Sequence, residues 1–224
     1  SPNVVQADAE VLYLIRAPQL DQVKEIYERI CNIARGAALM TETKVEIIFD
    51  KACSNLLPNH FLEKVMFRQY EALGVPEYSP EELRLAEQIQ ATLTEQELAQ
   101  ANPMPKEYAH LPLATYLEPI EKSKKMYGST DIGDVSWIAP TVQCATACFV
   151  HGSSLHSWQW VALGATSIGH KGMLHAGKVM GATAVQLFTD PTLIEQAKQE
   201  WTEHCQGKTY QCPIPEDVQP SPLK

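Results

Sequence analysis

Two short stretches of period-two alternation flank a helical stripe near the amino terminus, and that order constrains the chain more than any other feature. Ala9, Val11, Tyr13 and Ile15 alternate with Glu10, Leu12, Leu14 and Arg16, which is strand spacing, and Pro18 ends the run. Leu20, Val23, Ile26, Tyr27, Ile30 and Ala34 then share one helical face, with Gly36 near the helix end. Val45, Ile47 and Phe49 alternate with Lys44, Glu46 and Ile48 as a second strand. Strand, helix, strand predicts a compact unit closing near Asp50.

Beyond it, residues 59–73 read as a helix stopped by Gly74 and Pro76. Ser79-Pro80-Glu81-Glu82 has the form of a capping box with proline at the first helical position, opening a helix to about Leu93. Thr94 to Glu97 repeats the signature and predicts a second short helix. Residues 102–125 carry Pro103, Pro105, Pro112 and Pro119 and read as an irregular crossing segment. From Tyr127 the texture changes. MYGSTDIGDVSW reads as a loop, TVQCATACFV as a buried strand, and HGSSLHSWQW as another loop. Met173–Phe188 reads as a helix with Gly177, Gly181 and Ala184 on one ridge, a spacing that fits close packing against another element. A last helix covers Pro191–His204, followed by a proline-rich tail.

The 224 residues, 45% apolar and 20% charged, are those of an ordinary globular chain. No run approaches the roughly 18 apolar residues of a membrane span, and no basic-then-apolar leader is visible, so no membrane partner is expected. The formal charge of −9 repels phosphate backbones and argues against nucleic acid. An anionic substrate would need a fixed local cation. The six cysteines are irregularly spaced, which favours cytoplasmic thiols over a disulfide framework.

Histidine offers the first candidates for chemistry. His151 and His156 flank a Gly-Ser-Ser turn after the buried run, where a neutral imidazole either ligates zinc or manganese or serves as a hydrogen-bonded loop residue. No His-Glu-x-x-His or Cys-x-x-Cys pair is present, so no complete metal site is visible. His170 and His175, five apart, do not share a helical face, and Gly169-His170-Lys171-Gly172 is a weak loop motif. Asp131 and Asp134 are carboxylates that either sit near a metal or form turns by bonding their own backbone. Arg16 at the end of a strand reads as solvated.

Longer motifs carry a resemblance. NVVQADAEVLYLIRAP, with thirteen residues from Asn3 to Arg16, resembles the Asn…Arg segment in the lid of the aminoacylase and carboxypeptidase G family of metal-dependent amidohydrolases, with Gln6 where that family usually has proline. GSTDIGDVSW, SSLHSW and SIGHKGMLHAGKVM resemble one branch of that family, and the likeness extends over essentially the whole chain. The resemblance implies an α/β fold: part of a ferredoxin-like α+β lid or dimerisation domain over residues 1–52, then the carboxy-terminal portion of a mixed-sheet zinc-peptidase domain over 53–224, with a helical, proline-rich insertion at about 78–125.

It also implies chemistry. His156 matches the family's final metal ligand, and Asn3 and Arg16 match the pair that holds the substrate carboxylate. Asp131 and His151 become candidates beside the metals. Two divalent ions, zinc or manganese, would share and activate a water, and the general base is expected upstream of this chain. The implied reaction cleaves p-aminobenzoyl-glutamate to p-aminobenzoate and glutamate, with the fragment alone inactive. A homologous A subunit, a homodimer through the lid, or both are the implied partners. Two alternatives remain: an aminoacylase for another N-acyl amino acid, or a non-catalytic dimerisation subunit.

Overall fold

In a computed structural model, residues 3–100, 107–108, 110–120 and 128–219 are described. Among them the chain forms eight helices: α1 (Leu20–Thr41), α2 (His60–Leu73), α3 (Pro80–Gln90), α4 (Glu95–Gln100), α5 (Ile132–Ser136), α6 (Trp158–Gly164), α7 (Ser167–Thr189) and α8 (Pro191–Cys205). No strand occurs among the described residues. The α/β expectation, with its ferredoxin-like lid strands and mixed sheet, is therefore corrected to an all-helical arrangement.

The physical reason is visible in each expected strand. Alternation makes a strand only when a neighbour completes the backbone ladder and one face is buried. Val11, Leu12, Tyr13 and Leu14 are all exposed, odd and even positions alike, as are Val45, Ile47 and Ile48. The alternation buries no face. In the 141–150 run, the carbonyls of Ala145 and Ala147 accept hydrogen bonds from the Tyr70 and Tyr78 hydroxyls at 2.8 and 3.2 Å. Side chains there occupy acceptors that a sheet would use.

The described residues of 3–57, 128–138 and 208–219 form one compact unit, and those of 58–120 and 139–207 another. In the first, the expected stripe of α1 is the less exposed one, with Cys31 buried and Tyr27 edge-on to Phe49 at 5.6 Å. The helix runs past Gly36 and stops at Glu42, whose φ of 54° is left-handed. Asp134 on α5 accepts from the Ser54 backbone N–H at 3.2 Å to either carboxylate oxygen, from Ser54 Oγ at 2.5 Å and from the Tyr210 hydroxyl at 3.2 Å. Trp137 Nε1 donates to Asn55 O at 2.8 Å, and Leu57 N to Ser136 Oγ at 2.8 Å. Gly133 lies flush against the Ser54 backbone, where a Cβ would collide with its carbonyl oxygen. The loop expected at 126–137, described from residue 128 on, thus contains a short helix, α5, clamped onto residues 54–57.

In the second unit, α2, α6 and α8 pack on α7. Its core gathers Ala86, Leu93, Leu113, Val150, Leu163 and Ile168. Both expected capping boxes form. Ser79 N donates to Glu82 Oε2 at 2.6 Å while Glu82 N donates to Ser79 Oγ at 3.3 Å, and Thr94 and Glu97 repeat the exchange at 2.7 and 3.2 Å. Helix α2 is capped by Asn59, whose amide also donates to Ala197 O at 2.8 Å. Its first N–H groups, at His60 and Phe61, donate to the Glu200 carboxylate of α8 at 2.9 and 2.7 Å. A carboxylate there complements the positive helix end and satisfies donors with no partner inside the helix.

Helix α7 starts six residues before the expected Met173. Gly169 and Gly172, expected in a loop, lie in its first two turns. A Cβ on Gly169 would sit 2.7 Å from Leu163 O, and one on Gly172 would strike Ala147 O and Cys148 Sγ. Within α7 the close-packed glycines are these two. Gly177 and Gly181, expected to be packed, have open space beside them. Within the crossing segment 102–125, residues 107–108 and 110–120 are described without helix or strand beyond a single helical turn residue at Ile120, and the remainder lies outside the described residues.

Candidate functional site

The HGSSLHS loop is built on the second unit's core. Buried Val150 leads into it, and the His151 peptide is fixed on both sides: its N–H donates to Pro112 O at 2.8 Å and its carbonyl accepts from Gln90 Nε2 at 3.4 Å. Ser153 N donates back to Val150 O at 3.2 Å, closing a turn in which Gly152 has a φ of 90°. Three residues on, His156 has a φ of 63°, and it is exposed. A non-glycine residue in the left-handed region costs about 1 kcal/mol or more, and such positions cluster at functional sites. Ser157 then stands at the N-cap position of α6 in an extended conformation, without a side-chain cap bond.

Three of the four buried side-chain polar atoms that lack a hydrogen-bond partner among the described residues lie in or beside this loop: Ser153 Oγ, Ser157 Oγ and Trp160 Nε1. Each unsatisfied buried group costs about 1–3 kcal/mol. Trp160 stacks on Phe149 with 3.8 Å between ring centroids, which fixes the indole at the loop's base. Nothing in the residue pattern signals these atoms, because orphaning depends on which neighbours the fold brings up. The fourth is His175 Nε2, on the buried side of α7. Burial, and then the Lys178 charge, push the His175 imidazole below its usual range, so it is neutral near pH 7. A cleft of about 300 Å³ between residues 73–77 and α7 is lined by His175, Lys171 and Lys178 and contains none of the site residues that the family resemblance implies.

The candidate residues divide between the two units. His151 and His156 share the loop just described. Asn3, Arg16 and Asp131 belong to the other unit, where all three are exposed. Asp131 accepts from Thr130 Oγ1 at 3.1 Å and makes no side-chain cap to α5. Its neighbour Asp134, whose spacing allowed a turn-forming role, anchors the Ser54 and Tyr210 segments instead. That neighbouring charge contributes to raising two groups: burial first, then Asp134 and Asp131, lift the Cys53 thiol, and burial first, then Cys212 and Asp134, push Tyr210 up to about 12.

No group of three or more His, Cys, Asp or Glu side chains among the described residues is placed to hold a metal ion. The donor set does not make up a two-metal site; within its loop, His156 offers one imidazole. All six cysteines are free. Among the described residues, no helix is long and apolar enough to cross a membrane.

Along its full length the chain is similar to the B subunit of the p-aminobenzoyl-glutamate hydrolase of Escherichia coli (strain K12), 49% identical over 237 aligned residues. It spans about half, 49%, of that protein's length. No protein-family model and no solved structure matches.

Proposed function

As a relative, over its entire length, of that hydrolase subunit, the chain is, we propose, the carboxy-terminal half of a cytoplasmic metal-dependent amidohydrolase that cleaves p-aminobenzoyl-glutamate to p-aminobenzoate and glutamate. The observation that carries this reading is the 49% identity over the whole chain. The strained, exposed placement of His156 supports a role beyond packing. In this reading residues 1–52 serve the lid or dimer contact and residues 53–224 the catalytic portion. The partners are an A subunit, which the relative's designation as a B subunit implies, a second copy through the lid segment, or both.

His156 is this chain's one donor to a site for two ions, zinc or manganese, whose other ligands and general base lie outside these residues. His151 and Asp131 stand beside that site. Because this chain cannot complete the metal site, it is inactive by itself. Asn3 and Arg16 hold the glutamate carboxylate. Arg16 supplies the fixed local cation that a chain of net charge −9 needs for an anionic substrate, and its planar fork binds a carboxylate through two parallel hydrogen bonds.

The test is p-aminobenzoate release by the active assembly, together with its metal content. His156→Ala should lower turnover and bound metal together. Full metal occupancy in that variant would remove His156 from the site, and an assembly that hydrolyses other N-acyl amino acids but not p-aminobenzoyl-glutamate would replace the substrate assignment.

A further inference from the structure

Helix α7 is apolar on both sides, and only one side is used. Its inner face buries Ile168, Gly172, His175, Val179 and Thr183 against the second unit. On the outer face Met173, Gly177, Met180, Gly181, Val185 and Phe188 recur at helical spacing. The four large side chains there are 60%, 51%, 62% and 83% exposed, and nothing lies within 4 Å of where either glycine would carry a Cβ. Lys178 borders this face, with Lys171 beside it, and exposed His170 lies at its amino-terminal end. A helix that is hydrophobic all round belongs in an interior, and a contiguous exposed apolar face marks an interaction site.

We infer that this outer face of α7 is the seat of the polypeptide corresponding to the part of the Escherichia coli relative that this chain does not align with. The inference rests on the functional reading above, in which the chain works as half of a longer hydrolase. The occupant follows from three observations. The relative has about as many residues again as this chain covers. The face is too apolar for solvent, yet α7 does not qualify as a membrane span. The two open glycines lower the helix surface in its middle, so an incoming backbone can approach between Met173 and Phe188, as small residues permit at close helix contacts.

The experiment co-expresses this chain with the unaligned part of the relative and compares hydroxyl-radical oxidation of methionines in the chain alone and in the assembly. Met173 and Met180 should react at least fivefold more slowly in the assembly, while Met66, already buried in α2, should not change. A Gly177→Leu, Gly181→Leu double variant fills open space without collision, so the chain should fold as before, and its yield of assembly should fall at least tenfold. Equal oxidation in both states, an unaffected yield in the double variant, or failure of the two polypeptides to associate overturns the inference. So does concentration-dependent self-association of the chain that protects the same methionines, which would assign the face to a second copy. An assembly that releases p-aminobenzoate while Met173 and Met180 stay reactive overturns this inference and leaves the functional reading standing. An assembly protected on α7 yet inert toward p-aminobenzoyl-glutamate strikes the functional reading instead.

Discussion

Glu82 is a nearly buried ion in the second unit, and replacing it with glutamine isolates its charge. Its carboxylate is 9% exposed, accepts from Lys171 Nζ at 2.7 Å, and closes the Ser79 capping box. The Lys171 hydrogen bond first, then the Ser167 hydroxyl, hold its pKa down at about 2, against an ordinary 4.5. That lowering corresponds to about 3 kcal/mol of stability near neutral pH. Lys171 is 38% exposed, so solvent screening trims this to about 2–3 kcal/mol. Glutamine keeps an oxygen for Ser79 N and for Lys171 and is nearly isosteric, so the loss in E82Q is electrostatic.

The sign follows from the lowered pKa. Stability from this group is full above the unfolded value and is lost as pH falls through the folded one. In urea denaturation E82Q should be about 2–3 kcal/mol less stable than wild type at pH 7, and the gap should shrink to less than half by pH 3, with the urea slope unchanged. Lys171→Met should cost at least as much at pH 7, since it leaves a buried carboxylate without its cation. The double variant should recover at least about 1 kcal/mol of coupling. A gap under about 0.5 kcal/mol at pH 7 (about the noise of such a measurement), or one that persists at pH 3, would refute the reasoning.

Three further outcomes are expected. Gly172→Ala should destabilise by about 1–3 kcal/mol, because its methyl meets Ala147 O and Cys148 Sγ, whereas Gly181→Ala, with open space beside it, should stabilise by up to about 1 kcal/mol; thermal melts of the two variants should move in opposite directions. Asp134→Asn should cost about 1.5–3 kcal/mol by weakening the bonds from Ser54 and Tyr210, and it should lower the Tyr210 titration from about 12, read by ultraviolet absorbance. In the active assembly, Arg16→Ala should lower kcat/KM for p-aminobenzoyl-glutamate by about tenfold to a hundredfold, with metal content unchanged and the preference over the α-amide largely lost; an intact preference would place carboxylate recognition elsewhere.

What the sequence determined by itself is local. A capping box needs only residues three apart, so Ser79 with Glu82 and Thr94 with Glu97 start α3 and α4 where their chemistry predicts. The stripe on α1 was legible from its spacing, and so were α2 and α8, which Asn59 and Pro191 open. The Asn3–Arg16 spacing and the His156 loop could be read as motifs. The left-handed φ at His156 and the orphaned hydroxyls beside it could not, because both depend on which neighbours the fold brings to the loop. Period-two alternation is also a local signal, but a strand is completed by a neighbour distant in the chain. Here the tertiary structure left residues 9–16 and 44–48 without a buried face and gave the carbonyls of residues 145 and 147 to two tyrosines. The same holds for glycine: Gly172 and Gly181 are alike in sequence, and only the backbone of residue 147 lying against one of them decides which can accept a methyl group.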